Sequence, residues 1–137
     1  MKITINIDGG SRGNPGPGAI GVYFSNGKQY MKDIGVCTNN EAEYSAFIFA
    51  LYKVKAVFGK EKAKQMDIEI KSDSELLVKQ LNGEYKIKNE NIQKLFIEAW
   101  NKKIDFKNLK ITLIPREENK QADKLVNIAL DNKKTLL

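Results

Sequence analysis

The chain has 137 residues, of which 42% are hydrophobic and 29% are charged. Such proportions are typical of one globular domain, and no apolar run approaches the roughly 18 residues that a membrane-spanning helix needs. The net charge of +6 comes almost entirely from lysine and favours a polyanionic partner, while the absence of histidine excludes the usual general base and zinc ligand. Chemistry in this chain must therefore depend on carboxylates and on metals that prefer oxygen ligands.

The single cysteine and the first residues bear on cellular location. Cys37 cannot form an internal disulfide, and Met1 leads directly into a strand pattern without the features of a signal peptide. We therefore expect a cytoplasmic protein without membrane association. We also expect a monomer and one domain that spans residues 1–137.

Three strands are predicted before the first helix. Alternating isoleucines predict a first strand over residues 2–8, ending at Asp8, because the next ten residues contain five glycines and two prolines. Such a run disfavours a strand, since glycine loses entropy there and proline lacks a donor. Residues 19–24 predict a second strand, the pair Asn26-Gly27 predicts a hairpin turn, and residues 29–36 predict a third strand.

Helices alternate with two further strands in the rest of the chain. Thr38 or Asn39 is the expected N-cap of a helix that ends at Gly59. The remaining predicted elements are a strand over 66–70, a helix over 74–81, a basic loop over 82–89, a helix over 91–104, a strand over 109–114, a polar loop over 116–120 and a helix over 120–132. Because helices connect the first, fourth and fifth strands, these should be parallel, and the predicted fold is an α/β mixed sheet with helices on both faces.

Four carboxylates fall at strand ends or helix starts. Asp8 ends the first strand, and Asp73 follows the fourth. Glu43 lies in line with the apolar stripe of the first helix, and Asp123 lies in the first turn of the last helix. Taken singly, each has an ordinary interpretation as a turn residue or a charge at a helix terminus.

Taken together, these carboxylates predict a metal site. The C-terminal ends of parallel strands meet at one edge of a sheet, where open α/β sheets bind ligands. Four unpaired carboxylates at that edge would repel one another, and Mg²⁺ relieves such repulsion through oxygen ligands, waters and substrate phosphates. A pair of such ions can hydrolyse a phosphodiester without any histidine ligand.

Four motifs occur in the order and at the spacing of a known enzyme family. They run from Asp8 to Gly16, from Thr38 to Glu43, from Ser72 to Ser74 with Leu77-Val78, and from Glu118 to Asp123. On these motifs, which span the chain from Lys2 to about Leu130, it resembles type 1 ribonuclease H, the endonucleases that cut the RNA strand of RNA–DNA hybrids. The resemblance implies a ribonuclease H-like five-stranded sheet of order 3-2-1-4-5 with strand 2 antiparallel.

The resemblance also implies a mechanism and its residues. Asp8 would bridge two Mg²⁺ ions, for which Mn²⁺ is expected to substitute. Glu43 and Asp73 would complete one metal site and Asp123 the other, and cleavage would leave 5′-phosphate and 3′-hydroxyl ends. The expected contacts to the hybrid come from Gly9, Gly10, Ser11, Arg12, Asn14, Asn39, Asn40 and Gln80.

The sequence departs from the commonest bacterial pattern in two places. The loop before the last helix lacks the family's histidine, and Arg116 or Glu117 is expected to take its auxiliary role, with Glu118 as a further candidate. The basic helical protrusion is replaced by a short loop that carries Lys86 and Lys88. Two alternatives to this function stay open: a nuclease of related fold that also cuts double-stranded RNA, and a hybrid-binding module without catalysis.

Overall fold

The computed structural model describes the backbone of residues 1–136 and the side chains of residues 1–132. The strands are β1 (Lys2–Ser11), β2 (Gly16–Phe24), β3 (Gln29–Cys37), β4 (Asp67–Ser72) and β5 (Asn108–Leu113). The helices are α1 (Asn39–Phe58), α2 (Lys60–Gln65), α3 (Glu75–Leu81), α4 (Glu90–Lys103) and α5 (Lys120–Leu136), with a 3₁₀ turn at Arg116–Glu118. Within this part of the chain, no helix has both the length and the apolar character needed to cross a membrane.

The strands form one mixed sheet in the order β3-β2-β1-β4-β5. β1 pairs in parallel with β4, and β4 pairs in parallel with β5, as expected for strands that are connected through helices. β2 is antiparallel to both β1 and β3. The predicted strand order and the antiparallel second strand are therefore confirmed.

The two faces of the sheet are covered by different helices. Ile3, Ile5 and Ile7 of β1 belong to the main hydrophobic core together with Phe47 and Leu51 of α1. On the opposite face, a smaller cluster joins Ala19 of β2 to α5. Because successive side chains of a strand alternate between faces, Asp8 points to the α5 side and its neighbours Ile7 and Gly9 to the α1 side.

The start of α1 is held by a reciprocal cap. Thr38 accepts a hydrogen bond from the backbone N–H of Glu41, and the Glu41 carboxylate accepts one from the backbone N–H of Thr38. This capping box satisfies two backbone donors that the first turn leaves without partners. Of the two predicted N-cap residues, Thr38 is therefore the N-cap, and the side chain of Asn39 is available for other contacts.

The prediction that the first strand ends at Asp8 is wrong. β1 continues through Gly9 and Gly10 to Ser11, and β2 begins at Gly16 rather than at residue 19. The reason is close packing, because a Cβ atom at Gly9 would lie 2.3 Å from the carbonyl oxygen of Ala42 in α1. Glycine inside a strand is a common sign of such backbone contact, and here it lets α1 touch β1 directly.

Smaller differences concern short elements and element ends. The sequence pattern predicted neither α2 nor the 3₁₀ turn. Ala63 is the buried residue of α2, so this helix shows no apolar periodicity in the sequence. α5 continues to Leu136, beyond the predicted end at residue 132. The hairpin turn at Asn26-Gly27 forms as predicted, with Gly27 at a φ of 93°.

The contact between β1 and α1 predicts different outcomes for two adjacent glycines. Gly9→Ala should lower the free energy of unfolding by at least about 2 kcal/mol, because backbone atoms of α1 occupy the space that the new methyl group needs. Gly10→Ala is the matched control, since the nearest atom to its Cβ would be the Val126 Cγ1 at 3.8 Å, and its effect should stay within about 0.5 kcal/mol. Urea unfolding of both variants tests this, and equal effects would contradict it.

Candidate active site

A cleft opens between β1 and β4 at one edge of the sheet. The two strands pair only as far as Asn6 and Lys71, whereas β4 stays with β5 through Ser72. β1 continues beside β2 to Ser11. The chain leaves β1 for β2 on one side and reaches β4, on the other side of β1, only after β3, α1 and α2. Ligands bind at such switch points of α/β sheets.

Asn119 fills the base of this cleft. Its side-chain NH₂ group donates to the carbonyl oxygen of Ile7 at 2.8 Å and to the Asp73 Oδ2 at 3.2 Å, and its Oδ1 accepts from the Asn6 amide at 3.0 Å. Asn119 is only 1% exposed. It thus replaces the strand partner that Ile7 loses where β4 separates, and it holds Asp73 at the same time.

Four structural elements bring the predicted carboxylates together. Oxygens of Asp8, Glu43 and Asp73 lie within 4.8 Å of one another. Asp123, in the first turn of α5, adjoins Asp8 and raises the pKa of its carboxyl group. All four side chains line one cavity of about 420 Å³.

Glu43 reaches this cavity because α1 lies so close to β1. Glu43 is 9% exposed, and its Oε1 accepts a hydrogen bond from the backbone N–H of Gly9 at 2.8 Å. Gly9, whose lack of a side chain allows α1 to approach β1, therefore also binds the Glu43 carboxylate. This bond favours the charged form of a buried acid.

Burial is the main influence on the pKa values of Asp8 and Glu43. It raises the pKa of the Asp8 carboxyl to about 8, with further increases from the charges of Asp73 and Asp123. Burial likewise raises the pKa of Glu43 well above its usual value, followed by the charges of Asp8 and Asp73, while the Gly9 N–H and Arg116 act in the opposite direction. A donor set made only of carboxylate oxygens, held so closely together, fits a hard divalent cation.

Several predicted contact residues line the same cavity. They are Gly9, Gly10, Ser11, Arg12, Asn39 and Arg116. The guanidinium of Arg12 pairs with Asp131 of α5 at 2.6 Å. Glu117 and Glu118 are exposed and are not among the residues that line the cavity, so of the three predicted auxiliary residues only Arg116 lies at this site.

A second depression, which we call the asparagine groove, adjoins the cavity at Asn39. It has a volume of about 460 Å³ and is lined by Asn14, Thr38, Asn39, Asn40, Glu41, Asn89, Asn91 and Ile92. Asn14 Oδ1 accepts from the Asn39 backbone N–H at 3.0 Å, and Asn39 Oδ1 accepts from the Ser11 backbone N–H at 2.9 Å. These bonds tie the loop after β1 to the start of α1.

Gln80 is the one predicted contact residue that lies in neither depression. It is 6% exposed, and its Oε1 accepts from the Tyr44 hydroxyl at 2.7 Å. Its NH₂ group donates to the carbonyl oxygen of Lys86 at 3.3 Å. The side-chain amide of Gln80 thus links Tyr44 of α1 to the loop over residues 82–89, and its expected contact with a hybrid stays a prediction.

The sequence interpretation overlooked residues whose roles depend on tertiary contacts. Asn119 lies inside a motif used for the family resemblance, yet a polar residue in a predicted loop carries no sign of burial. Asn89 and Asn91 flank the start of α4 and enter the asparagine groove only because α4 begins beside α1. Asn127 donates to the backbone carbonyl of Asp123 at 3.1 Å from one turn further along α5.

Comparisons with known proteins agree with this geometry. A family model described as Reverse transcriptase-like matches residues 6–129 and defines the class of protein. The ribonuclease HI of Halobacterium salinarum is 39% identical over 136 residues, which cover 96% of this chain and 65% of that protein. A bifunctional protein of Mycobacterium tuberculosis is 36% identical over 137 residues, which cover 96% of this chain. The chain spans only 36% of the length of that mycobacterial relative.

A solved structure gives the same result. LC11-RNase H1 in complex with an RNA/DNA hybrid matches with a TM-score of 0.89 at 41% identity, covering 96% of this chain and 98% of that chain. The chain belongs to the type 1 ribonuclease H family. The resemblance inferred from the four motifs is therefore confirmed.

The raised pKa of Asp8 predicts how stability depends on pH without divalent metal. Folding raises this pKa from 3.8 to about 8, so the folded state holds a proton that the unfolded chain releases between these values. The free energy of unfolding should therefore fall as pH rises through this window, by up to about 1.4 kcal/mol per pH unit. Asp8→Asn removes the effect and should be more stable than the wild type at pH 8, with little difference near pH 4.

Urea unfolding between pH 4 and pH 9 in EDTA measures this difference. Asp67→Asn, at an exposed carboxylate of β4, is the control and should follow the wild-type curve. Parallel curves for Asp8→Asn and the wild type would contradict the prediction.

The buried position of Asn119 predicts a large loss of stability on truncation. Asn119→Ala leaves the Ile7 carbonyl and the Asn6 amide without this partner inside the cleft, which should lower the free energy of unfolding by about 2–3 kcal/mol. Asn101→Ala, at an exposed position of α4, should stay within about 0.5 kcal/mol. Thermal unfolding compares the two variants, and similar melting temperatures would show that the cleft does not depend on Asn119.

Proposed function

We propose that the chain is a divalent-metal-dependent endonuclease that hydrolyses the RNA strand of RNA–DNA hybrids. The observation that carries this proposal is the convergence of four carboxylates, three of them with oxygens within 4.8 Å of one another, at one edge of the sheet. Membership of the type 1 ribonuclease H family supports the same conclusion. The similarity to LC11-RNase H1, whose solved structure contains an RNA/DNA hybrid, supports the substrate.

The donor set supports magnesium as the cofactor, with manganese as a substitute. Two Mg²⁺ ions would supply an activated water and stabilise the departing 3′-oxygen, leaving 5′-phosphate and 3′-hydroxyl ends. Asp8 would contact both ions, because it lies near Glu43 and Asp73 and also adjoins Asp123. Glu43 and Asp73 would complete one metal site and Asp123 the other. Ligation by metal would keep the buried Asp8 and Glu43 ionised at neutral pH despite their raised pKa values.

The residues around the cavity are proposed to hold the hybrid. Asn14, Asn39 and Asn40 border the asparagine groove, and the side-chain oxygens of Asn14 and Asn39 already bind backbone N–H groups. The side-chain NH₂ groups of Asn14 and Asn39 are therefore available to donate hydrogen bonds to a nucleic acid. Contacts in the minor groove that read the ribose 2′-hydroxyl distinguish RNA from DNA. The net charge of +6 favours binding to the phosphate backbone.

Arg116 is proposed to take the auxiliary role of the missing histidine. It lines the cavity and its charge lowers the pKa of Glu43, whereas Glu117 lies outside the cavity lining. A guanidinium at this position would bind a substrate or product phosphate, since arginine pairs with phosphate through two parallel hydrogen bonds. The expected cytoplasmic location and monomeric state stay predictions.

The activity is tested with labelled hybrid, double-stranded RNA and duplex DNA, each in Mg²⁺, Mn²⁺ or EDTA. The hybrid should be cut in either metal and remain intact in EDTA. Cleavage of double-stranded RNA at a similar rate would favour the broader nuclease. Binding of hybrid without cleavage in either metal would favour the non-catalytic module.

Asp8→Asn should lower the rate of hybrid cleavage by on the order of 10³-fold or more, because the residue shared between the metals is lost. Asp67→Asn is the matched control and should cut at the wild-type rate. Because Asp8→Asn is expected to be at least as stable as the wild type at neutral pH, a loss of activity cannot be attributed to unfolding. A rate near that of the wild type would overturn the assignment of Asp8.

A further inference from the structure

A third depression, which we call the α1–α4 groove, lies outside the residues that line the carboxylate cavity. It has a volume of about 460 Å³ and is bordered by α1, α4 and β3. Its lining includes Lys32 of β3, Phe49 and Tyr52 of α1, and Leu95, Glu98 and Lys102 of α4. This volume is within the range of small-ligand sites, and nothing in the proposed cleavage reaction uses it.

The groove combines an apolar floor with positive charge at its borders. Lys32 enters from β3 and Lys102 from α4, and the Lys32 Nζ lies 5.8 Å from the centre of the Phe49 ring. Lys53 lies beside the groove, with its Nζ 4.7 Å from the ring centre of Tyr30 and 5.7 Å from that of Phe49. Against these lysines stands one acidic lining residue, Glu98. The surroundings therefore favour an anionic ligand that also carries apolar surface.

A ladder of aromatic rings leads from the core to the groove surface. Phe24 contacts Tyr30 at a centroid distance of 5.6 Å, Tyr30 contacts Phe49 at 6.3 Å, and Phe49 contacts Tyr52 at 6.3 Å. Phe24 is fully buried, whereas Tyr52 is 54% exposed. Packing against Phe49 restricts the Tyr52 ring, which remains exposed to solvent. Lysines interleaved with exposed aromatic rings are the features by which proteins bind unpaired nucleic-acid strands.

The α1–α4 groove continues from the asparagine groove. Glu41 of α1 and Ile92 of α4 line the asparagine groove, and Ser45 and Leu95, three or four residues further along the same helices, line the α1–α4 groove. The Ser45 hydroxyl donates to the Glu41 carbonyl oxygen at 2.9 Å across this step. One helical turn advances about 5 Å, so the two depressions meet end to end.

We propose that the α1–α4 groove binds an unpaired strand that flanks the hybrid, with bases stacked on Tyr52 and Phe49 and phosphates near Lys32, Lys53 and Lys102. This inference rests on the proposed function, because the flank reaches the groove from a hybrid held at the asparagine groove. A single strand fits better than a duplex, since a paired base cannot place its face on an aromatic ring at the floor of a groove. An acidic peptide is the competing occupant, and it is one outcome of the test.

The test measures binding by fluorescence anisotropy in the Asp8→Asn background, which is expected to leave the hybrid uncut. The probes are a blunt hybrid, the same hybrid with an unpaired thymidine flank, and the thymidine strand alone. The flank should tighten binding by about 10-fold, because stacking of one base contributes about 1–3 kcal/mol. Tyr52→Ala should remove this gain and leave the affinity for the blunt hybrid unchanged.

The charge contribution is measured separately through salt dependence. Lys32→Gln combined with Lys102→Gln should lower the slope of log K against log salt for the flanked hybrid by about 0.7 for each lysine removed. Trp100→Ala is the aromatic control, because this ring is 46% exposed on α4 outside the groove. Lys60→Gln combined with Lys64→Gln on α2 is the charge control. All controls should retain the gain from the flank.

Three outcomes overturn the proposal: a flank that does not tighten binding, a gain that survives Tyr52→Ala, and a glutamate-rich peptide that binds the groove while the thymidine strand does not. Failure of the proposed function appears differently, as a lack of cleavage of the blunt hybrid by protein that retains Asp8. If cleavage fails but the thymidine strand still binds in a manner that depends on Tyr52, strand binding by the α1–α4 groove is supported and the nuclease function is overturned.

Discussion

The contact between Gly9 and the first turns of α1 is the constraint on which the site depends. A side chain at residue 9 would collide with the Ala42 carbonyl, so only glycine allows the helix to lie against the strand. The Gly9 N–H then binds the Glu43 carboxylate, and this brings an acid from the α1 side to Asp8, which points to the other face. The sheet edge is where side chains from both faces can meet.

Burial and charge act against each other at this edge. Asp8 and Glu43 are both less than 10% exposed, and their raised pKa values show that the protein alone does not favour four ionised acids here. The favourable free energy of burying the large core on the α1 face offsets the cost of bringing these acids together. A divalent cation bound at this edge would relieve that repulsion, and its binding would therefore stabilise the fold.

Much of the fold follows from local patterns. Alternating apolar residues predict the strands, and the parallel connection through helices predicts the class of sheet, while the strand order came from the family resemblance. The prediction fails where residue type serves a tertiary contact. Gly9 and Gly10 look like a turn because their composition matches one, but the packing of α1 and α5 makes them part of β1. α2 is missed because a short lysine-rich helix has almost no buried face to detect.

The sequence by itself determined which acids form the site, because the four carboxylates recur at strand ends and helix starts within motifs of recognisable spacing. The tertiary structure alone decided how they are held. Asn119 closes the cleft only because β4 leaves β1 after Asn6, and Gln80 is enclosed only because Tyr44 and the loop at Lys86 surround it. Burial, hydrogen-bond partners and the resulting pKa values depend on residues far apart in the chain, so no local pattern can report them.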